Sequence, residues 1–202
     1  MKPASFFLKI PVIFFVSVLL ISCSTAGQQA DKELLESINT ILILPAQAAP
    51  EKKEADNAEL ETGIMSLNSA LITYFENKKY AKLVTTDKEL FQDMPGGNRL
   101  SMIQNIGRKF DCDAVLTCNI NRYVERKGKK YAIESPASVA FECKLIEVKT
   151  GRAACFLNFD ETQQALTDNL LAASLRLKWL TAEELLNDGL IKKLSTCPYV
   201  TR

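Results

Sequence analysis

Ala137-Ser-Val-Ala-Phe-Glu-Cys-Lys-Leu-Ile-Glu-Val148 alternates apolar and polar side chains. Val139, Phe141, Cys143 and Leu145 share one face, and Glu142 and Lys144 lie on the other. A period of two marks a strand with one buried face. Lys149-Thr-Gly151 follows as a hairpin turn, and Ala153 to Phe159 returns with Cys155, Leu157 and Phe159 on one face. Upstream, Ala114-Val-Leu-Thr-Cys-Asn-Ile-Asn-Arg-Tyr-Val124 also alternates. Arg126-Lys-Gly-Lys-Lys130 then reads as a hairpin tip, with Gly128 supplying a positive φ. Together these segments predict an antiparallel meander.

Working outward, Asn39 to Leu44 is an apolar run closed by Pro45 and reads as a buried first strand. Residues 46–56 read as a surface loop. From Asn57 to about Asn77 the spacing of Leu60, Ile64, Leu67, Leu71, Ile72 and Phe75 predicts an amphipathic helix. Lys79 to Thr85 is a second strand, and Thr86 or Asp87 can cap a short helix through Phe91. Met94-Pro-Gly-Gly-Asn98 is a turn; a phosphate loop would need a following Gly-Lys-Ser/Thr. Leu100, Ile103, Ile106 and Phe110 predict the next helix. After the meander, helices are expected from about Thr167 to Leu177 and from Thr181-Ala-Glu-Glu184, a capping box followed by Leu185, Leu186, Leu190 and Leu194. The expected fold class is α/β (α+β): a mixed, largely antiparallel sheet of about five strands flanked by helices. A β-α-β crossover opens it and the meander closes it.

Residues 1–22 read as a signal peptide. Lys2 and Lys9 form a positive n-region, and Ile10 to Ile21 is apolar but shorter than the roughly 20 residues needed to span a bilayer. The segment ends in Leu20-Ile21-Ser22-Cys23, a lipobox pattern, so cleavage before Cys23 and lipidation of its thiol are expected. Two or three acyl chains (a palmitate-type modification), at about 0.8 kcal/mol per buried CH₂, give stable anchoring. Ser24, where an Asp would favour the inner membrane, points to the outer membrane, with the protein facing the periplasm. Residues 23–35 are the lipidated cysteine and its tether, and residues 36–202 a single domain.

Composition narrows the function. The formal net charge is +1 among 202 residues, and Lys2 and Lys9 leave with the signal, so no electrostatic case exists for nucleic acid. There is no histidine, which removes the commonest general base near neutral pH and the commonest zinc ligand. Asp111 and Asp113 read as a polar turn; a metal site would need ligands the sequence does not offer. Glu142, Glu147 and Asp160 could be imagined as a glycosidase pair, but alternation predicts a solvated face. No catalytic residue, metal or cofactor is therefore expected. Arg126, Lys127, Lys129 and Lys130 crowd one hairpin and could touch anionic headgroups or polysaccharide. Trp179, the single Trp, is the remaining candidate partner contact.

Beyond Cys23 there are five cysteines, Cys112, Cys118, Cys143, Cys155 and Cys197, without CxxC spacing. Cys118, Cys143 and Cys155 follow the apolar strand faces and read best as buried free thiols. An oxidising compartment favours disulfides wherever two thiols meet. Cys197 could bond to Cys112, the pairing stays open, and an odd count leaves at least one thiol free.

Several of these segments carry a resemblance. Phe110-Asp-Cys-Asp-Ala-Val115 enters a long strand, and Pro136-Ala-Ser-Val-Ala-Phe141, Leu145-Ile-Glu-Val-Lys-Thr-Gly151 and Phe159-Asp-Glu-Thr-Gln-Gln-Ala-Leu166 follow. Over residues 36–196 this pattern resembles the CsgG-type outer-membrane lipoprotein domain, a group that includes the curli secretion channel subunit, the Pel polysaccharide lipoprotein PelC and the penicillin-binding-protein activator LpoB. The resemblance implies a CsgG/TolB-N-like fold and a non-enzymatic structural or assembly role in envelope biogenesis or export. It implies protein partners or a homo-oligomer. The alternative it carries is a regulatory module activating a peptidoglycan synthase; an envelope-polymer hydrolase is the reading the missing histidine disfavours. Many relatives have Trp where this chain has Cys155. The extra amphipathic hairpins of the channel-forming members find no clear match here, which speaks against a pore.

Overall fold

The structure, a computed structural model, describes residues 38–49, 57–84, 99–129, 132–163 and 179–201. The signal peptide with Cys23, the tether, the proposed 86–91 helix, the 94–98 turn, Lys130 and the 167–177 helix lie outside these residues.

Strand β1 (Ile41–Ile43) is followed by a two-residue strand β2 (Gln47–Ala48), helix α1 (Asn57–Phe75) and strand β3 (Ala81–Leu83). Helix α2 (Arg99–Lys109) leads into β4 (Ala114–Val124). Next come β5 (Lys127–Lys129), β6 (Ala132–Ser135), β7 (Ser138–Glu147) and β8 (Ala153–Thr162), and α3 (Ala182–Leu194) is the last helix. The main sheet runs β3-β1-β4-β7-β8, with β2 also pairing β4, and β5 and β6 form a separate ribbon. β1 is parallel to β3 and β4, while β4, β7 and β8 are antiparallel neighbours. The protein is thus an α+β fold with a mixed sheet and, among the described residues, three helices.

The expected crossover and meander are both present. The loop predicted over 46–56 needs correction: Gln47 and Ala48 pair with Asn119 and Ile120. Gly128 also sits elsewhere than expected. Its φ is 103°, but it lies inside β5, where pairing with β6 slips register, and not at the tip.

Alternation sorts the core. Val139, Phe141, Cys143 and Leu145 are almost fully buried and face α1 and α3 with Cys155, Leu157 and Phe159. Phe141 and Phe159, opposite each other in the register, stack at 5.1 Å. Two glycines let the helices come close. A Cβ at Gly63 would lie 2.7 Å from Tyr123 Cβ, and one at Gly189 would lie 2.6 Å from Phe159 Cζ. On the opposite face α2 places Ile103 and Ile106 against Leu42, Leu44, Val115, Ile146 and Val148. Ile72 departs from its expected role. Leu71 takes the buried position, and Ile72, about 100° further round α1, is 42% exposed.

Candidate functional site

The end of the sheet where β4 finishes collects most of the residues expected to meet a partner. Glu125, directly after β4, ties the end of that strand to α3. Its Oε1 accepts from the backbone N–H of Arg126 at 2.9 Å, and its Oε2 accepts from Ala182 N–H at 3.1 Å. Glu125 therefore satisfies one of the open donors at the start of α3. The predicted capping box satisfies others: Thr181 Oγ1 accepts from Glu184 N–H at 3.1 Å, and Glu184 Oε2 accepts from Thr181 N–H at 3.1 Å. Just before it, Leu180 N–H donates to the buried Gln163 Oε1 at 2.9 Å. That bond holds the half-buried Trp179 beside the last residues of β8.

Trp179, Arg126, Lys127 and the backbone of Lys129 consequently share one end of the fold. Lys127 is exposed. Arg126 differs: its Nε and Nη1 are enclosed and have no acceptor among the described residues. A guanidinium so placed is costly unless an acceptor reaches it.

A polar surface adjoins this end, on the sheet face opposite α1 and α3. Arg122 donates through Nε to Ser138 Oγ at 2.6 Å and pairs through Nη2 with Asp160, while Ser138 and Thr162 share a hydroxyl bond. Further along, Asn119 donates to Glu142 at 3.2 Å, and Lys144 approaches the same carboxylate at 3.4 Å. Lys144 Nζ also stands 5.2 Å from the centre of the Phe156 ring, which is 57% exposed. Sequence reasoning passed over Arg122 and Phe156. The available signal was parity: Phe156 falls on the polar side of a strand whose other face is Cys155, Leu157 and Phe159. Glu142 and Asp160 occupy the polar face as alternation expects. Glu147 does not; it is 6% exposed and accepts from the Thr150 hydroxyl at the β7–β8 turn.

The other end of the sheet is where the chain enters the fold. Asp113 Oδ2 accepts from Asn39 N–H (2.9 Å), Thr40 N–H (2.8 Å) and Thr40 Oγ1 (2.9 Å). Burial by itself would raise the Asp113 pKa, but these bonds and nearby Lys82 outweigh it and hold the carboxyl below its ordinary value. The aspartate thus pins β1 to β4. Lys82 Nζ donates to the Phe110 and Asp111 carbonyls, both at 2.9 Å, bracing a turn in which Asp111 has a φ of 50°. Among the described residues, no group of three or more Cys, Asp or Glu is placed to hold a metal, and no helix is long and apolar enough to cross a membrane. A cleft lined by Leu44, Pro45, Asn68, Leu71, Ile72 and Val84 holds about 80 Å³, well below the roughly 300 Å³ at which small-molecule sites begin.

The cysteines correct the sequence reading. Cys118 is bonded to Cys143, directly opposite it in the β4–β7 register, and Cys155 to Cys197. They are not free thiols, and Cys197 does not pair with Cys112. Cys112 is the free, buried one; burial raises its pKa, partly countered by Lys82. A thiol in that state is a poor nucleophile at neutral pH.

This geometry defines an α+β domain offering hydrogen-bonding groups and one aromatic ring on an open surface. No family model matches the chain, and no curated protein matches it. Solved structures to which it is similar include the PelC dodecamer from Paraburkholderia phytofirmans, at 12% identity and a TM-score of 0.47 over 82% of this chain and 90% of that one. Lipoprotein GNA1162 from Neisseria meningitidis is similar at 14% identity and a TM-score of 0.39, over 68% and 94%. The LpoB C-terminal domain from Salmonella enterica is similar at 18% identity and 0.37, over 67% and 95%.

Proposed function

We propose that this chain is a lipid-anchored lipoprotein of the bacterial envelope, processed before Cys23 and held at the outer membrane facing the periplasm. Its domain, residues 36–202, acts without catalysis as a binding or assembly module. The observation that carries the reading is Leu20-Ile21-Ser22-Cys23 behind a short apolar segment with basic residues ahead of it. The disulfides support it independently, because four cysteines paired across separations of 25 and 42 residues fit an oxidising compartment.

The sequence resemblance to CsgG-type lipoproteins points the role toward envelope biogenesis or export. The proposed contact surface is the end bearing Trp179, Arg126, Lys127 and Lys129. A carbonyl or carboxylate oxygen of the partner reaching that spot would give the Arg126 fork an acceptor. The partner is another protein or a further copy of this chain. Mass spectrometry of the natively expressed protein tests the anchor: the expected amino terminus is a diacylated or triacylated Cys23, and an unmodified Cys23 overturns it. Light scattering on the detergent-purified protein tests the assembly role. A closed ring supports assembly or export, and a strict monomer favours the synthase-activating alternative.

A further inference from the structure

The two ends of the sheet carry opposite charge. At the end where the chain enters, exposed basic side chains come from four separate elements. Lys79 precedes β3, and Arg108 and Lys109 close α2. Lys149 and Arg152 flank the β7–β8 turn, and Lys192 lies in the last turn of α3. Among the described residues the exposed acidic groups near them are Glu76, Asp111 and Asp188, the last one turn before Lys192 on α3; Asp113 and Glu147 are turned inward and hydrogen-bonded. The far end is the reverse. Glu59 and Glu61 open α1, Glu183 opens α3, and Glu125, Glu134 and Asp160 lie on or beside the strands there, against the few cations of the hairpin and Arg122.

We infer that the basic end docks on an anionic lipid bilayer, with the acidic end and its Trp179 surface directed away from it. The inference rests on the proposed anchor at Cys23. Residues 24–37 separate that cysteine from the first described residue, a tether of at most about 45 Å at roughly 3.3 Å per residue. That length keeps the domain near the bilayer and is enough for either end of the sheet to reach it, so charge selects which end faces the lipid. Fields fall off within about 8 Å at physiological ionic strength, so only the nearer end feels the surface. The two ends are about 34 Å apart along the eleven residues of β4. The lipid-facing cations are then not those of the Arg126–Lys129 hairpin.

The test uses the native lipoprotein in vesicles of phosphatidylcholine alone or with 30% phosphatidylglycerol, and reads acetylation rates of individual lysines by mass spectrometry. Labelling of Lys79, Lys109 and Lys149 is expected to slow several-fold on the anionic vesicles, with Lys127 unchanged, and 0.5 M NaCl should erase the difference. Each cation near an anionic surface is worth about a fivefold change in binding. Lys149→Glu with Arg152→Glu should therefore remove the protection of Lys79, and Lys79→Glu with Lys109→Glu serves as a second variant if the first fails to fold. Equal labelling on both vesicles, or slowing at Lys127 instead, overturns the inference while leaving the anchor intact. If the same spectra show Cys23 unmodified, the anchor reading has failed, and the unanchored protein is sedimented with each vesicle type. Pelleting with anionic vesicles alone then supports the basic end as a lipid surface; no pelleting overturns it, a protein-docking role for that end included among the explanations.

Discussion

Replacing Cys155 and Cys197 together by Ala should cost this protein about 4 kcal/mol of stability. The bond joins β8 to the segment after α3 across 42 residues, and the chain-entropy relation gives about 4 kcal/mol for closing a loop of that length. Removing Cys118–Cys143, which closes 25 residues, gives about 3.5 kcal/mol by the same relation. Native packing should survive both changes. Leu194 and Val200 stay buried and Tyr80 still donates to the Val200 carbonyl, while β4 and β7 are paired along their whole length. The effect therefore lies mainly in the unfolded chain, and it has two readouts. Calorimetry should show the Cys155→Ala/Cys197→Ala protein melting roughly 8–16 °C lower, at 2–4 °C per kcal/mol for a domain of this size. Urea unfolding should show a larger slope, because a chain without the cross-link exposes more surface. A melting temperature within about 3 °C of the parent with an unchanged slope would refute the loop-closure reasoning.

Asp113→Ala removes the shared acceptor for Asn39 and Thr40 and should cost about 2–3 kcal/mol, a charged hydrogen-bonding group being worth more than a neutral one; chemical denaturation at pH 7 checks it. Because the Asp113 pKa is lower folded than unfolded, its contribution is complete above the unfolded value of about 3.9 and is lost as pH falls through the folded value. The stability gap between parent and Asp113→Asn should thus hold from pH 7 to 5 and narrow below about pH 4; a gap that widens on acidification contradicts the assignment. Gly189→Ala drives a methyl into the Phe159 ring and should destabilise by about 1–2 kcal/mol, the overpacking cost exceeding the helix-propensity gain; a raised melting temperature would show that the ring yields freely. Thr181→Ala deletes one half of the capping box and should cost about 1 kcal/mol by thermal melting, with no loss indicating that Glu125 alone holds the start of α3.

How far the fold could be read from sequence follows the range of each signal. Local signals held: the alternation of β7 and β8, and the Thr181–Glu184 box, encode their structure within a few residues. Ile72 misled because how wide a helix's buried stripe is depends on what packs against it: α3 buries the adjacent Leu185 and Leu186, whereas α1 buries Leu71 and leaves Ile72 exposed. Gly128 carried the right dihedral at the wrong place, since register slippage within a ribbon depends on both strands. The disulfides were illegible for a longer-range reason. Cys118 meets Cys143 only once the β4–β7 register is fixed, and that register spans the intervening β5–β6 ribbon. Cys197 reaches Cys155 only after α3 is laid across the sheet. The candidate contact surface was half legible: its residues could be picked by type, but their convergence depends on Glu125 and Gln163, whose bonds to Ala182 of α3 and to Leu180 ahead of it join segments 57 and 17 positions apart.

The disulfides also bear on how the proposed role can be measured. Cys118–Cys143 joins two neighbouring strands of the sheet, Cys155–Cys197 ties β8 to the segment after α3, and all four cysteines are buried. Protein made in a reducing compartment would carry four additional buried thiols and, by the loop-closure relation, would lose much of the marginal stability typical of a domain. Such a chain would expose apolar surface and associate for reasons unrelated to assembly. An oligomer observed with reduced protein therefore cannot speak for a ring, whereas one observed with Cys118–Cys143 and Cys155–Cys197 intact reports on the surface that native chains present. The same logic ties compartment to function: a fold whose stability depends on oxidised pairs is suited to the space into which residues 1–22 would direct it, and the proposed lipid at Cys23 would keep it there.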